Sequence, residues 1–195
     1  MVAVVFGAAA GCGFLSTRDP VVPPDTSCLS PLAKTAPENI LGNHENAVGC
    51  KVQGVNQFHD TMTSQDFLFT LDPVDASELG LDPLSRDTIV EAFRQGVTAA
   101  KDDSLSFTFG DKTPEQNANA AFYSKIPYTF TIVPVDSTMA VETYSGTADI
   151  HLMTSQFGDW EITSWDDFND GSGRPTWGRW LGSRVGAPGA RAKLD

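Results

Sequence analysis

The chain changes its hydrophobic period near residue 104. Upstream, apolar residues recur at helical spacing; downstream, they alternate. Leu105, Phe107 and Phe109 alternate with Ser106 and Thr108. Phe122, Ile126, Tyr128, Phe130 and Ile132 form one set, and Tyr123, Lys125, Thr129 and Thr131 the opposing one. Ala148, Ile150 and Leu152 alternate with Asp149, His151 and Met153, and Trp160 and Ile162 with Glu161 and Thr163. A period of two puts successive side chains on opposite faces of a sheet. Helices first and strands later specify a single α+β domain, its N-terminal helices packed on a curved, mostly antiparallel sheet.

The helical half supplies detail. Thr35 to Glu38 fits a capping box with Pro37 at an early helical position. Ile40, Leu41, Ala47, Val48, Val52, Val55, Phe58 and Met62 follow at roughly helical spacing. Gly49 and Gly54 weaken the run, so two helices with a break between these glycines are expected. Phe67 to Leu71 reads as a short strand and residues 72–83 as a loop. Ser85 can cap a third helix with Ile89, Val90, Phe93 and Val97 on one face.

The N-terminus is of another kind. Residues 1–10 carry no charge, the length of a signal-peptide core and too short to span a bilayer. Ala9-Ala10-Gly11-Cys12 resembles the lipobox of bacterial lipoprotein signal peptides. That resemblance implies a leader over 1–11, a diacylglycerol on the Cys12 thiol, and a cell-envelope location facing the periplasm or exterior. The alternative is a short buried strand with a core cysteine. Pro20, Pro23, Pro24 and Pro31 make 12–35 an extended tether. Cys28 and Cys50 are a possible disulfide in an oxidising compartment, or else two unpaired thiols.

The formal net charge of −12 argues against nucleic acid as a partner, and against electrostatic docking on anionic lipid. Any membrane partner must then be held through the lipid on Cys12. Three dispersed histidines give no metal-binding spacing, and no cofactor motif is present. Asp166, Asp167 and Asp170 resemble the start of a calcium loop, but Gly171 falls at the wrong offset, so a solvated turn is expected.

Gly158 to Phe168, GDWEITSWDDF, resembles the closing strand of the nuclear transport factor 2-like (SnoaL-like, cystatin-like cone) superfamily. The order of helices, short strand, helix and long meander is that fold's order. A subset of bacterial lipoproteins is similar further: lipobox, Thr17-Arg18-Asp19-Pro20 tether, this domain over 36–170, and a terminal Thr176-Trp177-Gly178 segment within a tail of 171–195. The resemblance implies a cone with a pocket between sheet and helices. Its candidate lining is His44, Phe58, Phe67, Tyr128 and Trp160, suited to a small apolar ligand or an envelope protein without catalysis. Related isomerases and cyclases use such a pocket for proton transfer. That alternative falls on His44, His59 and Asp60, although His59 and Asp60 are adjacent and diverge on a helix. A third implication is a homodimer through the outer sheet face. Trp177 and Trp180, three apart, can share one helical turn and dock on the domain, or form a partner-binding tail.

Overall fold

A computed structural model describes Cys28, residues 30–62 and residues 66–185. The expected leader, Cys12 and most of the tether lie outside the described residues. Helix α1 spans Pro37–Gly49; a 3-10 turn, Lys51–Gly54, separates it from α2, Val55–Asp60. The break therefore falls where the glycines placed it. The helix start differs from the capping-box expectation: the N-cap is Ala36, and no side chain caps it.

Strand β1, Leu68–Thr70, leads into a helix that the periodicity did not reveal, α3, Pro73–Leu79. Its signals are local. The Asp72 side chain accepts from the Val74 N–H at 2.9 Å, Pro73 fixes the first turn, and Gly80 ends it in the left-handed region at φ 64°. Strand β2 is Leu84–Ser85, and α4, Arg86–Ala99, is capped by the Ser85 hydroxyl. Strands β3 (Ser104–Phe109), β4 (Glu115–Gln116), β5 (Ala120–Val133), β6 (Glu142–Thr154) and β7 (Trp160–Phe168) complete the sheet, and α5, Trp177–Gly182, ends the described chain.

The sheet runs β2-β1-β7-β6-β5-β3, with β4 on β5. Only β1–β7 is parallel among these pairs. Two irregularities change which residues face inward. Between Tyr123 and Ile126 the β5–β6 register shifts, with Lys125 at φ 48° and its N–H bonded to Asp149 at 2.7 Å. An inserted residue inverts the alternation. Tyr123 is therefore buried with Ile126, while Phe122 lies on the outer face stacked on His151. This corrects the expected grouping of Phe122 with Ile126. A second shift, at His151/Leu152, sends Trp165 and Asp167 inward on β7.

Helices α1, α2 and α4 pack on the inner face, and the core is continuous between the layers. It also runs past residue 170. Trp177, Trp180 and Leu181 are buried in it, so the segment read as a tail supplies core residues as far as Leu181. Cys28 and Cys50 are joined, with their Cα atoms 5.4 Å apart. That bond fixes a strap over α1. Asn43 holds the strap in both directions, accepting from the Leu32 N–H at 2.7 Å and donating to the Leu32 carbonyl at 2.9 Å.

Candidate functional site

The space between sheet and helices is filled by aromatic rings. His44, on the inner face of α1, sits at centroid distances of 4.9 Å from Phe58, 5.1 Å from Trp165, 5.3 Å from Phe107, 5.9 Å from Phe109 and 6.2 Å from Trp177. It is 2% exposed, and among the described residues neither ring nitrogen has a hydrogen-bond partner. Burial drives its pKa down to about 3, so the imidazole is neutral at pH 7.

Helix α5 supplies the rings that close this space. Trp177 and Trp180 stack on one another at 4.9 Å, and each meets Phe130 edge-on. Gly96 on α4 is the seat for Trp180: a Cβ there would stand 2.2 Å from the indole. The same holds at Gly178, where a Cβ would stand 2.6 Å from the Asp167 carboxylate.

A polar latch holds α5 in place. The Tyr128 hydroxyl donates to Asp167 Oδ1 at 2.5 Å and accepts from the Trp177 N–H at 3.0 Å. Asp167 Oδ2 accepts from the Gly178 N–H at 2.8 Å. These bonds satisfy N–H groups of the first turn, which no helix can satisfy internally. Thr176 caps α5 by accepting from the Arg179 N–H at 3.0 Å, and donates to Asp75 Oδ2 at 2.8 Å. Arg179 Nη1 reaches both Asp75 at 2.7 Å and Glu78 at 2.5 Å. Burial raises the Asp167 pKa to about 7 against the pull of its hydrogen bonds. Burial, then the Asp167 charge, pushes Tyr128 well above the ordinary phenol value.

The sequence-derived candidates do not share a pocket. Phe58 is stacked on Phe93 at 4.1 Å, and His44 is enclosed as above. Tyr128 belongs to the latch. Phe67 borders a cleft of about 100 Å³ with Ser85 and Arg86. Trp160 is 4% exposed, and its backbone N–H donates to the Lys34 carbonyl at 2.9 Å. Of the expected lining, His44 and Tyr128 are held against Trp177 of α5, while Phe58, Phe67 and Trp160 are buried in the core away from any shared cavity. For the proton-transfer alternative, His59 Nδ1 lies 3.0 Å from Asp60 Oδ1, in a surface pair with side chains 40% and 64% exposed. That pair faces solvent, and His44 has no polar partner with which to share a substrate. Asp167, read as part of a solvated turn, is 1% exposed. The inward alternation of Trp165 with Asp167 is the signal that could have found it.

Two larger clefts lie outside the core. One, of about 630 Å³, lies on the outer sheet face and is lined by Gln116, Phe122, His151, Met153, Thr163 and others. The second, also about 630 Å³, runs between the strap and α2 past Asn43, Asn56, Gln57 and Asp60. Among the described residues no group of three or more His, Cys, Asp or Glu side chains could hold a metal ion. No helix among them is long and apolar enough to cross a membrane.

No protein-family model matches the sequence, and no curated protein matches it at a significant level. Solved structures do match in fold. A conserved protein from Planctomyces limnophilus aligns with a TM-score of 0.53 at 16% identity, over 67% of this chain and 91% of its own. A protein provisionally named an aromatic ring hydroxylase, from Novosphingobium aromaticivorans, gives 0.52 at 16% identity, over 70% and 87%. ActVI-ORFA from Streptomyces coelicolor gives 0.51 at 16% identity, over 67% and 94%. What these likenesses show is the fold: helices against a curved, mostly antiparallel sheet, the nuclear transport factor 2-like (SnoaL-like) cone.

Proposed function

We propose that this protein is a cell-envelope lipoprotein whose cone domain binds a protein partner through its surface and catalyses no reaction. One observation carries the non-catalytic part. The interior that could serve as a reaction pocket holds the chain's own rings, and its one imidazole makes no hydrogen bond to any described residue. The same observation favours a protein partner over a small apolar ligand, which would have to displace Trp177 and Trp180. Anchoring is supported by Ala9-Ala10-Gly11-Cys12 and the proline-rich tether. The Cys28–Cys50 bond suits an oxidising compartment.

The test is the intact mass of the chain taken from its native membrane fraction. The expected product begins at Cys12 and carries a diacylglyceryl group. An unlipidated chain that keeps Met1 and fractionates with the cytosol would overturn the envelope reading.

A second reading, self-association through the outer sheet face, is favoured by a specific feature. Phe122 and His151 stack at 4.4 Å beside a half-exposed Met153 in the outer cleft. Sedimentation of the chain and of Met153→Asp tests it. A dimer that the substitution splits supports the reading, and a concentration-independent monomer removes it.

A further inference from the structure

The hairpin between β5 and β6 exposes apolar side chains that the fold does not use. Residues 133–141 read VPVDSTMAV, and Val133, Val135, Met139 and Val141 are 44%, 73%, 61% and 56% exposed. Isolated exposed apolar residues are ordinary, but four within nine residues concentrate apolar surface on one hairpin. The loop is not loosely built. The Asp136 carboxylate accepts from the Thr138 N–H at 2.9 Å and from its hydroxyl at 2.7 Å, and the Met139 N–H closes on the Asp136 carbonyl at 3.0 Å. The Val135 N–H is held by Asp103 at 3.1 Å.

The position of this loop relative to the strap identifies what it faces. Cys28 is bonded to Cys50, immediately after α1. The last residue of α1, Gly49, lies against the Leu105 carbonyl, and Leu105 pairs with Ile132, next to the hairpin. A second path agrees: Lys51 Nζ reaches the Lys101 carbonyl at 3.2 Å, two residues before the Asp103 that holds Val135. Val52, 52% exposed, sits at the same end. The segment leading from Cys12 therefore joins the domain at the end that carries the apolar loop. From Cys12 to Cys28 there are 16 residue steps (28 minus 12). At no more than ~3.6 Å per step that span is limited to about 58 Å, and it is attached at this end, so this end and not the opposite one is the nearer to a lipid on Cys12.

We propose that the 133–141 loop inserts its Val and Met side chains into the interfacial region of the lipid bilayer to which the chain is anchored. This rests on the anchoring reading. The occupant is uncharged lipid, because Asp102, Asp103, Asp136 and Glu142 outnumber Lys51 and Lys101 at this end and would be repelled by anionic headgroups. The lipid anchor supplies affinity, and the loop sets which face of the cone turns away from the membrane.

The experiment uses the full chain with its disulfide intact, coupled through the Cys12 thiol to a maleimide lipid in phosphatidylcholine vesicles. Amide hydrogen exchange is compared with the uncoupled chain. Exchange over 134–141 is expected to slow by about tenfold or more. The turn at Phe157, 82% exposed, serves as the control and should keep its rate. Val135→Asp with Met139→Asp, both surface changes, should abolish the slowing, and vesicles rich in phosphatidylserine should reduce it. An unchanged loop, or slowing at Phe157 in its place, would overturn the proposal. Because coupling is chemical, this result is separate from the anchoring reading, which the native mass of Cys12 decides.

Discussion

Two buried titratable groups lie in the same cone and are treated in opposite ways. Asp167 has hydrogen-bond partners on both oxygens, and each bond leads to the C-terminal helix or to the tyrosine that grips it. His44 has no partner on either nitrogen and is surrounded by rings. A buried polar group is tolerated when its bonds are made and is expensive when they are not. Asp167 thus reads as a latch, and His44 as a ring used for its shape. The difference teaches where the cone's design effort went: into closing the interior with α5 rather than into keeping a reactive group beside a substrate space.

Removing the closure is the strongest way to break this comparison. Trp177→Ala should lower stability by about 3–5 kcal/mol in urea unfolding, the range for deleting a buried large aromatic. Asp167→Ala comes next. It strands the Tyr128 hydroxyl and the Gly178 N–H, at about 2–3 kcal/mol by the same assay. Gly96→Ala should destabilise by roughly 1–2 kcal/mol although alanine is the better helix former, since its methyl would collide with Trp180. His44→Phe should be nearly neutral at pH 7, within about 1 kcal/mol, because it removes orphaned nitrogens and keeps a ring.

The pH dependence sharpens the contrast. His44 titrates near 3 when folded against an ordinary 6.5, so the unfolded chain takes up that proton first and stability falls as pH drops from 6.5 towards 3. Asp167 titrates near 7 when folded against an ordinary 3.8. The folded chain takes up that proton first, so its contribution is full below pH 3.8 and fades as pH rises through 7. Between about pH 4 and 6.5 the two slopes oppose one another. His44→Phe should uncover the Asp167 slope: its stability relative to the parent should grow by roughly 3 kcal/mol on acidification from pH 6.5 to 4. A constant difference across that window would show that His44 is not buried neutral.

Much of the fold was legible because burial writes itself as period. The alternation in β3 and in the second half of β5, and the one-faced stripe of α4, map directly onto the inner layer. What was hidden follows from single-residue events. The β5 shift at Tyr123/Ile126 and the β6–β7 shift at His151/Leu152 invert alternation; only the first has a marker in the sequence, Pro127 just beyond it inside the strand. They moved Phe122 outward and Asp167 inward. Helix α3 is too short for a periodic signal, and only Asp72-Pro73 and Gly80 announce it. The candidate site was read least well. Aromatics such as Phe107 and Phe130 look alike whether they line a cavity or fill one, and that choice was made far along the chain by Trp177 and Trp180.

The central claim is that the cone is filled by its own C-terminal helix, and chemical rescue tests it most directly. Unfolding of the parent and of Trp177→Ala would be followed with and without added indole, since an apolar cavity left in a core binds a ligand of matching shape. The account expects indole to stabilise Trp177→Ala saturably and to leave the parent unchanged. Saturable stabilisation of the parent by indole would contradict it. That result would mean the interior already accepts a ligand and α5 is a lid over a working pocket.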